Sequence, residues 1–249
     1  MSRPSVSVII PTYQHARTIA RCLDSVLAQT LPADEVIVVN DGSTDGVHAA
    51  LHPYDGRIVL IDQENQGSNP ARNRGFAASR GDRVVFCDAD VIMRPDMLER
   101  LSAALDADAK AGYAYCGFRF GWKRFPSFAF DGSLLKRMNY IHTTAMIRRE
   151  AFPGFDVAIR RFQDWDLWLT MLARGWHGTF VGEELFRVMI ASKSRIGSQW
   201  RPSALYQVPW NLLRWRPLSV EKYEAARAVI ARKHGLPAAA EPLSVPRVL

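Results

Sequence analysis

Four short apolar runs constrain the fold of this chain more than any other feature of its sequence. They are too short for helices, and their apolar residues are continuous rather than alternating, which is typical of parallel strands buried on both faces. Segments with helical spacing separate them, first a stripe at Ile19, Leu23, Val26 and Leu27 and later residues 70–80 and 95–108. This alternation predicts an α/β fold with a mostly parallel, doubly wound sheet flanked by helices. The four runs are VSVII (6–10), EVIVV (35–39), RIVLI (57–61) and RVVFC (83–87).

Polar residues follow every one of these runs, in the segments PTYQH, NDGSTDG, DQENQGSNPARNRG and DADV. Ligands of an open parallel sheet bind outside the carboxyl ends of its strands. We therefore expect Asp88 and Asp90 at the rim of a site rather than in the core. Two carboxylates one residue apart suit a hard divalent cation such as Mg²⁺ or Mn²⁺. The alternative is a helix cap followed by a solvated Asp before Pro95.

Length and composition indicate one large α/β domain, or one such domain with an appendage. The chain has 249 residues, of which 48% are hydrophobic, so it can bury a sizeable core. Cys22, Cys87 and Cys116 show neither metal-ligand spacing nor a disulfide framework, which favours a reducing, cytoplasmic location. We find no signal peptide and no apolar stretch approaching the roughly 20 residues of a membrane-spanning helix.

The positive charge is concentrated near the C-terminus. The net charge is +7, and residues 193–235 hold nine Lys or Arg against two Glu, while the first 192 residues are neutral. The segment 200–217 (WRPSALYQVPWNLLRWRP) mixes aromatic and basic residues, and residues 219–234 predict a helix ended by Gly235. This region is either a packed strap with a solvated basic helix or a contact for an anionic partner, such as the cytoplasmic face of a membrane. Nucleic acid is not an expected partner.

Several motifs resemble those of the family 2 glycosyltransferases. The opening, VSVIIPTYQHARTIARCLDSVLAQTLPADEVIVVNDGSTDG, resembles the start of that family, and NQGSNPARNRG resembles its Gly-x-x-x-Ala-Arg-Asn-x-Gly segment. DAD follows, and QDWDLW comes 73 residues later, where the family has Glu-Asp-Trp-Asp-Leu-Trp. The string VVFCDADV alone also fits haloacid dehalogenase-like phosphatases, but their motif normally lies on the first strand of the fold.

The resemblance covers roughly residues 5–195 and implies a GT-A domain over residues 1–195. Its nucleotide-binding half would span about 1–92 and its acceptor half about 93–195, followed by the basic segment and helix (196–235) and a flexible tail (236–249). The implied activity is metal-dependent transfer of a sugar, with inversion, from a nucleotide sugar to an acceptor hydroxyl. The implied donor is a UDP-sugar, and the acceptor is a glycan or a lipid-linked saccharide.

The same resemblance assigns donor-binding roles. Asp41 would accept the N3–H of uracil, and Arg72 would steady the aspartates or the nucleotide. Asp88 would contact ribose or metal-bound water, and Asp90 would coordinate Mg²⁺ or Mn²⁺ on the diphosphate. The remaining donor-binding candidates are Pro11, Thr12 and Tyr13 around the base and ribose, and Lys193 and Arg195 near the diphosphate.

Asp164 matches the position of the general base, and Asp166 is expected to support the structure. Two residues depart from the family pattern: Gln163 replaces the usual Glu, and Met189 stands where His is common. These departures leave open a non-catalytic nucleotide-sugar binding protein. The candidates for acceptor contact are His142, Gln163 and Trp165.

Overall fold

The computed structural model describes residues 3–125, 127–190 and 217–237. Its strands are β1 (Val6–Thr12), β2 (Glu35–Asp41), β3 (Val59–Gln63), β4 (Arg83–Phe86), β5 (Val91–Met93), β6 (Ala111–Phe120), β7 (Lys123–Phe125), β8 (Met146–Arg148) and β9 (His177–Val188). Its α-helices are α1 (Ile19–Leu27), α2 (Val47–Leu51), α3 (Ser68–Ala78), α4 (Met97–Ala107), α5 (Gly132–Arg137), α6 (Gln163–Ala173) and α7 (Leu218–His234). Short 3₁₀ turns lie at His52–Tyr54 and Arg149–Ala151.

The strands form one mixed sheet in the order β3-β2-β1-β4-β8-β6-β9-β5, with β7 paired to β6. β1 pairs in parallel with β2 and β4, and β2 with β3, so the N-terminal half has the predicted parallel pattern. β8 then runs antiparallel to both β4 and β6, while β6 and β9 are parallel. The predicted α/β sheet flanked by helices is confirmed, and the antiparallel pairs lie in its second half.

All four apolar runs form strands, but only three of them are buried on both faces. β1, β2 and β4 occupy inner positions and are almost wholly buried. β3 lies at the sheet edge, where Val59 and Leu60 are exposed. The expectation of burial on both faces is therefore wrong for the third run, since a continuous apolar pattern does not reveal which strand is outermost.

The central strand separates two hydrophobic clusters. Val8 and Ile10 face the cluster that includes α1 and α4, and Ile9 faces the cluster that includes α6. This follows from the two-residue period of a strand. α3 packs very close to β1, because a Cβ added to Gly75 would lie 2.4 Å from Cγ2 of Ile9. A glycine is thus required where this helix crosses the sheet.

The C-terminal helix packs onto the domain. α7 covers the predicted helix and ends at Gly235, whose φ of +62° closes the helix in the left-handed region. Ile230 of α7 is fully buried in the same cluster as α6. Residues 191–216 and 238–249 lie outside the described residues, so the predicted aromatic segment and tail are not described. No described helix has the length and apolar character needed to span a membrane.

Candidate active site

The carboxyl ends of β1, β2 and β4 bring together the residues that the sequence placed at the rim. Asp41 is the last residue of β2, and Asp88 and Asp90 follow β4. Pro11 and Thr12 end β1 and are buried, and Tyr13 is half-buried just beyond them. The Oγ1 atom of Thr12 is buried without a hydrogen-bond partner among the described residues. An orphaned polar atom of this kind suits a polar ligand at this edge.

Asp41 organises the loop that connects β3 to α3. Its Oδ1 accepts hydrogen bonds from Nε2 of Gln63 at 2.7 Å and the backbone N–H of Gln66 at 2.9 Å. Its Oδ2 accepts from the backbone N–H of Gly67 at 2.8 Å. Because a carboxylate has about four acceptor positions, these three bonds leave capacity for one further donor.

Arg72 and Asp88 form a partly buried ion pair. Nη2 of Arg72 lies 2.7 Å from Oδ1 of Asp88, and the two side chains are 6% and 32% exposed. Burial alone would raise the pKa of Asp88, but the charge of Arg72, helped by His142 and His15, holds this pKa below its ordinary value. Asp88 therefore stays ionised at the rim of the sheet.

Asp90 has no such ion-pair partner among the described residues, and its pKa shifts in the opposite direction. Burial, and next the charge of Asp88, raise the pKa of Asp90 to about 7. A cation near both carboxylates would relieve this repulsion, and hard oxygen donors are what Mg²⁺ and Mn²⁺ prefer. Within the described part of the chain, no group of three or more His, Cys, Asp or Glu side chains is arranged for a metal. The two carboxylates fit a cation whose other ligands are diphosphate oxygens and water.

Two asparagines, which the sequence analysis did not single out, connect α3 to the loop before α6. Asn69 donates to the carbonyl oxygens of Asp156 at 2.8 Å and Ile159 at 3.0 Å. Asn73 donates to the carbonyl oxygen of Phe155 at 2.8 Å and accepts from the backbone N–H of the same residue at 2.8 Å. The signal was available, because residues 69 and 73 lie four apart on one helix face and flank Arg72.

The first turn of α6 carries Asp164, whose charge acts on the pKa of His142 together with that of Asp88. Asp164 is half-buried, and its Oδ1 accepts the backbone N–H of Trp165 at 2.9 Å. Gln163 contacts Oγ of Ser68 at 3.1 Å and accepts from Nη1 of Arg72 at 3.4 Å. Gln163 thus contacts α3. Trp165 is buried, and its indole N–H donates to the carbonyl oxygen of Leu135 at 2.6 Å, so its side chain is part of the core.

His142 lies between the two motifs. Burial lowers its pKa, and the negative charges of Asp88 and Asp164 both oppose that change. Its Nδ1 accepts the backbone N–H of Thr144 at 3.0 Å, which places the proton of the neutral ring on Nε2. The rings of Phe118 and Phe186 pack 4.8 and 5.0 Å from its own ring.

Of the remaining positions from the sequence analysis, Met189 lies within the described residues. The backbone N–H of Met189, the residue directly after β9, donates to the carbonyl oxygen of Asp90 at 2.8 Å, so the end of β9 reaches the rim. Lys193 and Arg195 lie outside the described residues. His15, which the sequence reading passed over, is close enough to Asp88 for the two charges to affect each other's pKa.

Comparison with known proteins decides the family. The model for "Glycosyl transferase family 2" matches residues 7–155, which include Asp41, Arg72, Asp88 and Asp90. The chain belongs to glycosyltransferase family 2. EpsE of Bacillus subtilis (strain 168), named as a glycosyltransferase, is 30% identical over 205 residues, covering 75% of this chain and 73% of that protein. TuaG of the same organism, assigned to teichuronic acid biosynthesis as a glycosyltransferase, is 29% identical over 222 residues, covering 80% of this chain and 84% of that protein.

Solved structures of the family share the GT-A fold. S. aureus TarS in complex with UDP has a TM-score of 0.64 at 16% identity, over 92% of this chain and 71% of that chain. The mannosyltransferase PcManGT from Pyrobaculum calidifontis, in complex with GDP-Man and Mn²⁺, has a TM-score of 0.63 at 23% identity, over 96% of this chain and 79% of that chain. At these identities the likeness establishes the fold alone.

Other relatives match over a shorter region. EpsH of Bacillus subtilis (strain 168) is 38% identical over 104 residues, which is 41% of this chain and 30% of that protein. The matched region spans about a third of the length of such relatives.

Proposed function

We propose that this chain transfers a sugar from a UDP-sugar to an acceptor hydroxyl with inversion at the anomeric carbon. The observation that carries the proposal is the side chain of Arg72, whose Nη2 donates to Oδ1 of Asp88 at 2.7 Å and whose Nη1 donates to Oε1 of Gln163, the neighbour of Asp164, at 3.4 Å. These contacts between motifs far apart in sequence support a single site for the donor-binding and base candidates. The family membership and the fold support the same reading.

The reaction is an in-line displacement in which one bond forms and one breaks. The acceptor oxygen bonds to the anomeric carbon as the bond from that carbon to the diphosphate oxygen breaks on the opposite side. Asp164 takes the proton of the attacking hydroxyl, as a carboxylate can when it faces the acceptor. Its Oδ2 makes no hydrogen bond to the described residues and is the atom we assign to this task.

The donor would lie along the carboxyl edge of the parallel strands. Counting the described residues, Asp41 has one acceptor position left for the N3–H of uracil, and the nearby hydroxyl of Thr12 has no hydrogen-bond partner. Asp90 and Asp88 would hold Mg²⁺ or Mn²⁺, which neutralises the charge on the departing diphosphate when it is bound. Arg72 keeps Asp88 ionised and in position.

A non-catalytic nucleotide-sugar binder is the second candidate, and one contact favours it. Gln163, where the family has Glu, is engaged by Ser68 and Arg72 of the donor half and so adds no carboxylate to the acceptor side. The two candidates differ in one measurable respect, because only an enzyme releases UDP faster when an acceptor is added. The phosphohydrolase alternative has no support from the family match.

For the acceptor, we propose a glycan or a lipid-linked saccharide presented at an anionic membrane surface. The basic C-terminal segment carries the whole excess charge of the chain. In the described part, Trp122 is 86% exposed at the turn between β6 and β7, beside Lys123 and Arg124. An exposed Trp flanked by basic residues suits a membrane interface.

A two-stage experiment tests the proposed function. UDP- and GDP-sugars are first screened by thermal shift with Mn²⁺, which probes the donor half without knowledge of the acceptor. UDP release is then measured with lipid-linked and free saccharides as acceptors. Acceptor-stimulated release supports a transferase, whereas binding without stimulated release supports the non-catalytic candidate.

A further inference from the structure

A group of charged side chains joins the end of α7 to the start of α6 and to the loop before it. Lys233 Nζ lies 2.8 Å from Oδ1 of Asp166 and 2.7 Å from Oδ2 of Asp156. His234 Nε2–H donates to Oδ1 of Asp166 at 2.7 Å. The side chain of Asp166 is only 5% exposed, so two basic groups of α7 bind one buried carboxylate.

The first turn of α6, which carries Asp166, is weakly defined by its own sequence. α6 begins after Phe162, which has a φ of +59° and makes no side-chain cap. A non-glycine residue in the left-handed region costs on the order of 1 kcal/mol or more, and it persists only where the surroundings enforce it. The ring of Tyr223, also in α7, packs edge-on against Phe162 with centroids 5.1 Å apart. α7 therefore holds the turn at residue 162 and at residue 166.

Asp164 lies between these two anchor points. Successive residues of an α-helix are rotated by about 100°, so Asp166 and Asp164 project in nearly opposite directions from the turn. Asp166 binds α7 on one side, and Asp164, whose Oδ1 accepts the backbone N–H of Trp165, projects on the other. A shift of α7 would therefore move the first turn of α6 and the proposed base Asp164 with it. This effect needs no contact between α7 and substrate.

We propose that Lys233 and His234 are positioning residues, and that α7 fixes the orientation of the general base Asp164 by holding Asp166. This inference rests on the proposed function, because it takes Asp164 as the base. Buried ion pairs often stabilise no more than hydrophobic residues of the same volume, and what they can add is a defined geometry. These ion pairs are formed by Asp166, two residues from Asp164, where a defined geometry matters to a proton transfer.

The test separates turnover from binding. His234→Ala and Lys233→Met are compared with Lys222→Met, a control at an exposed position of the same helix. UDP release from UDP-glucose and UDP-N-acetylglucosamine is followed with water as the acceptor, and UDP affinity is measured by calorimetry. A misplacement of a catalytic group by about 1 Å can reduce the rate about 10²-fold. We therefore expect kcat to fall by about 10–100-fold in His234→Ala and in Lys233→Met. UDP affinity and the KM for the donor should stay within about twofold of wild type.

Rescue distinguishes positioning from a loss of packing. His234→Gln retains an N–H donor and should restore kcat to within about threefold of wild type, whereas His234→Ala should not. If His234→Ala and Lys233→Met both keep the wild-type kcat and differ only in a lower melting temperature, the proposal is overturned and α7 has a structural role alone. Asp164→Asn is assayed in parallel: if it turns over normally, the base assignment fails and the inference with it, and if it alone is slow, only the positioning role is refuted.

Discussion

The guanidinium of Arg72 and the carboxylate of Asp88 lie 2.7 Å apart, joining helix α3 of one motif to the end of strand β4 in another. The pair holds the pKa of Asp88 low. Arg72 also reaches Gln163 at the start of α6, so one side chain contacts the donor half and the helix that carries Asp164.

Loss of this pair should destabilise the protein and uncouple the two motifs. We expect Arg72→Ala to reduce the free energy of unfolding by about 1–3 kcal/mol, because a charged hydrogen bond is lost and Asp88 keeps its charge in a partly buried place. Urea unfolding of Arg72→Ala, Asp88→Asn and the double variant measures the coupling. Arg74→Ala, at an exposed position of the same helix, is the control and should change stability little. A coupling energy near zero would show that the pair is not an energetic link.

The raised pKa of Asp90 predicts how the stability of the metal-free protein depends on pH. Burial and the charge of Asp88 raise this pKa from an ordinary value of 3.8 to about 7. Between about pH 4 and about pH 7 the folded protein keeps a proton that the unfolded chain has released, so the contribution of Asp90 to stability falls as pH rises. Asp90→Asn removes that fall.

We therefore expect Asp90→Asn to be more stable than wild type at pH 8 in EDTA, by on the order of 1–2 kcal/mol, and closer to wild type at pH 4.5. Urea unfolding at the two pH values measures the difference. Equal stabilities at both values would mean that Asp90 ionises normally in the folded state.

The base assignment predicts a selective loss of rate. Asp164→Asn keeps the shape of the side chain but cannot accept the proton, so turnover should fall by roughly 10²–10⁴-fold. UDP affinity should be unchanged, since the proposed role of Asp164 is towards the acceptor and not the nucleotide. Near-normal turnover would move the base elsewhere.

The close contact between α3 and β1 predicts that replacing Gly75 by alanine has the opposite of its usual effect on the stability of a helix. Replacement of Gly by Ala at an open helix position stabilises by about 1 kcal/mol. At Gly75 the added Cβ would lie 2.4 Å from Ile9 and 3.1 Å from Val39, so we expect Gly75→Ala to destabilise by about 1–3 kcal/mol. Thermal unfolding in differential scanning calorimetry measures the change, and a stabilised variant would contradict the close packing.

The membrane proposal predicts binding that depends on salt. Exposed charges are screened over about 8–10 Å at 0.1–0.15 M salt, so sedimentation with phosphatidylglycerol vesicles should weaken as salt rises. Trp122→Ser should reduce binding further, and phosphatidylcholine vesicles should bind less. Equal, negligible binding to both vesicle types would leave the basic segment without this role.

The sequence predicted the donor half of the fold well because its signals are local. Continuous apolar runs located β1, β2 and β4, and the residues after them marked the rim where Asp41, Asp88 and Asp90 lie. The exposed position of β3 could not be foreseen, since strand order is set by packing between distant segments. Trp165 illustrates the same limit, because nothing local indicates that its indole N–H finds the carbonyl oxygen of Leu135, 30 residues earlier.

The ion pairs between α7 and Asp166 could not be predicted from local sequence patterns for the same reason. Lys233 is 67 residues from Asp166, and the sequence reads only as a basic helix after an aromatic segment. Charge alone suggested a solvated face or an anionic partner. The fold instead brings two of these basic residues onto a buried carboxylate, which no pattern within the helix encodes.

Calorimetric titration of UDP tests the central claim most directly, because UDP is common to every donor of the proposed class and needs no acceptor. With MnCl₂, wild type should bind UDP at least about 10-fold more tightly than with EDTA, a difference of about 1.4 kcal/mol. Asp90→Asn, folded by circular dichroism, should show no such difference. UDP binding that is absent, or equal with Mn²⁺ and EDTA, or equally Mn²⁺-dependent in Asp90→Asn, would contradict a nucleotide-diphosphate site built on Asp88 and Asp90.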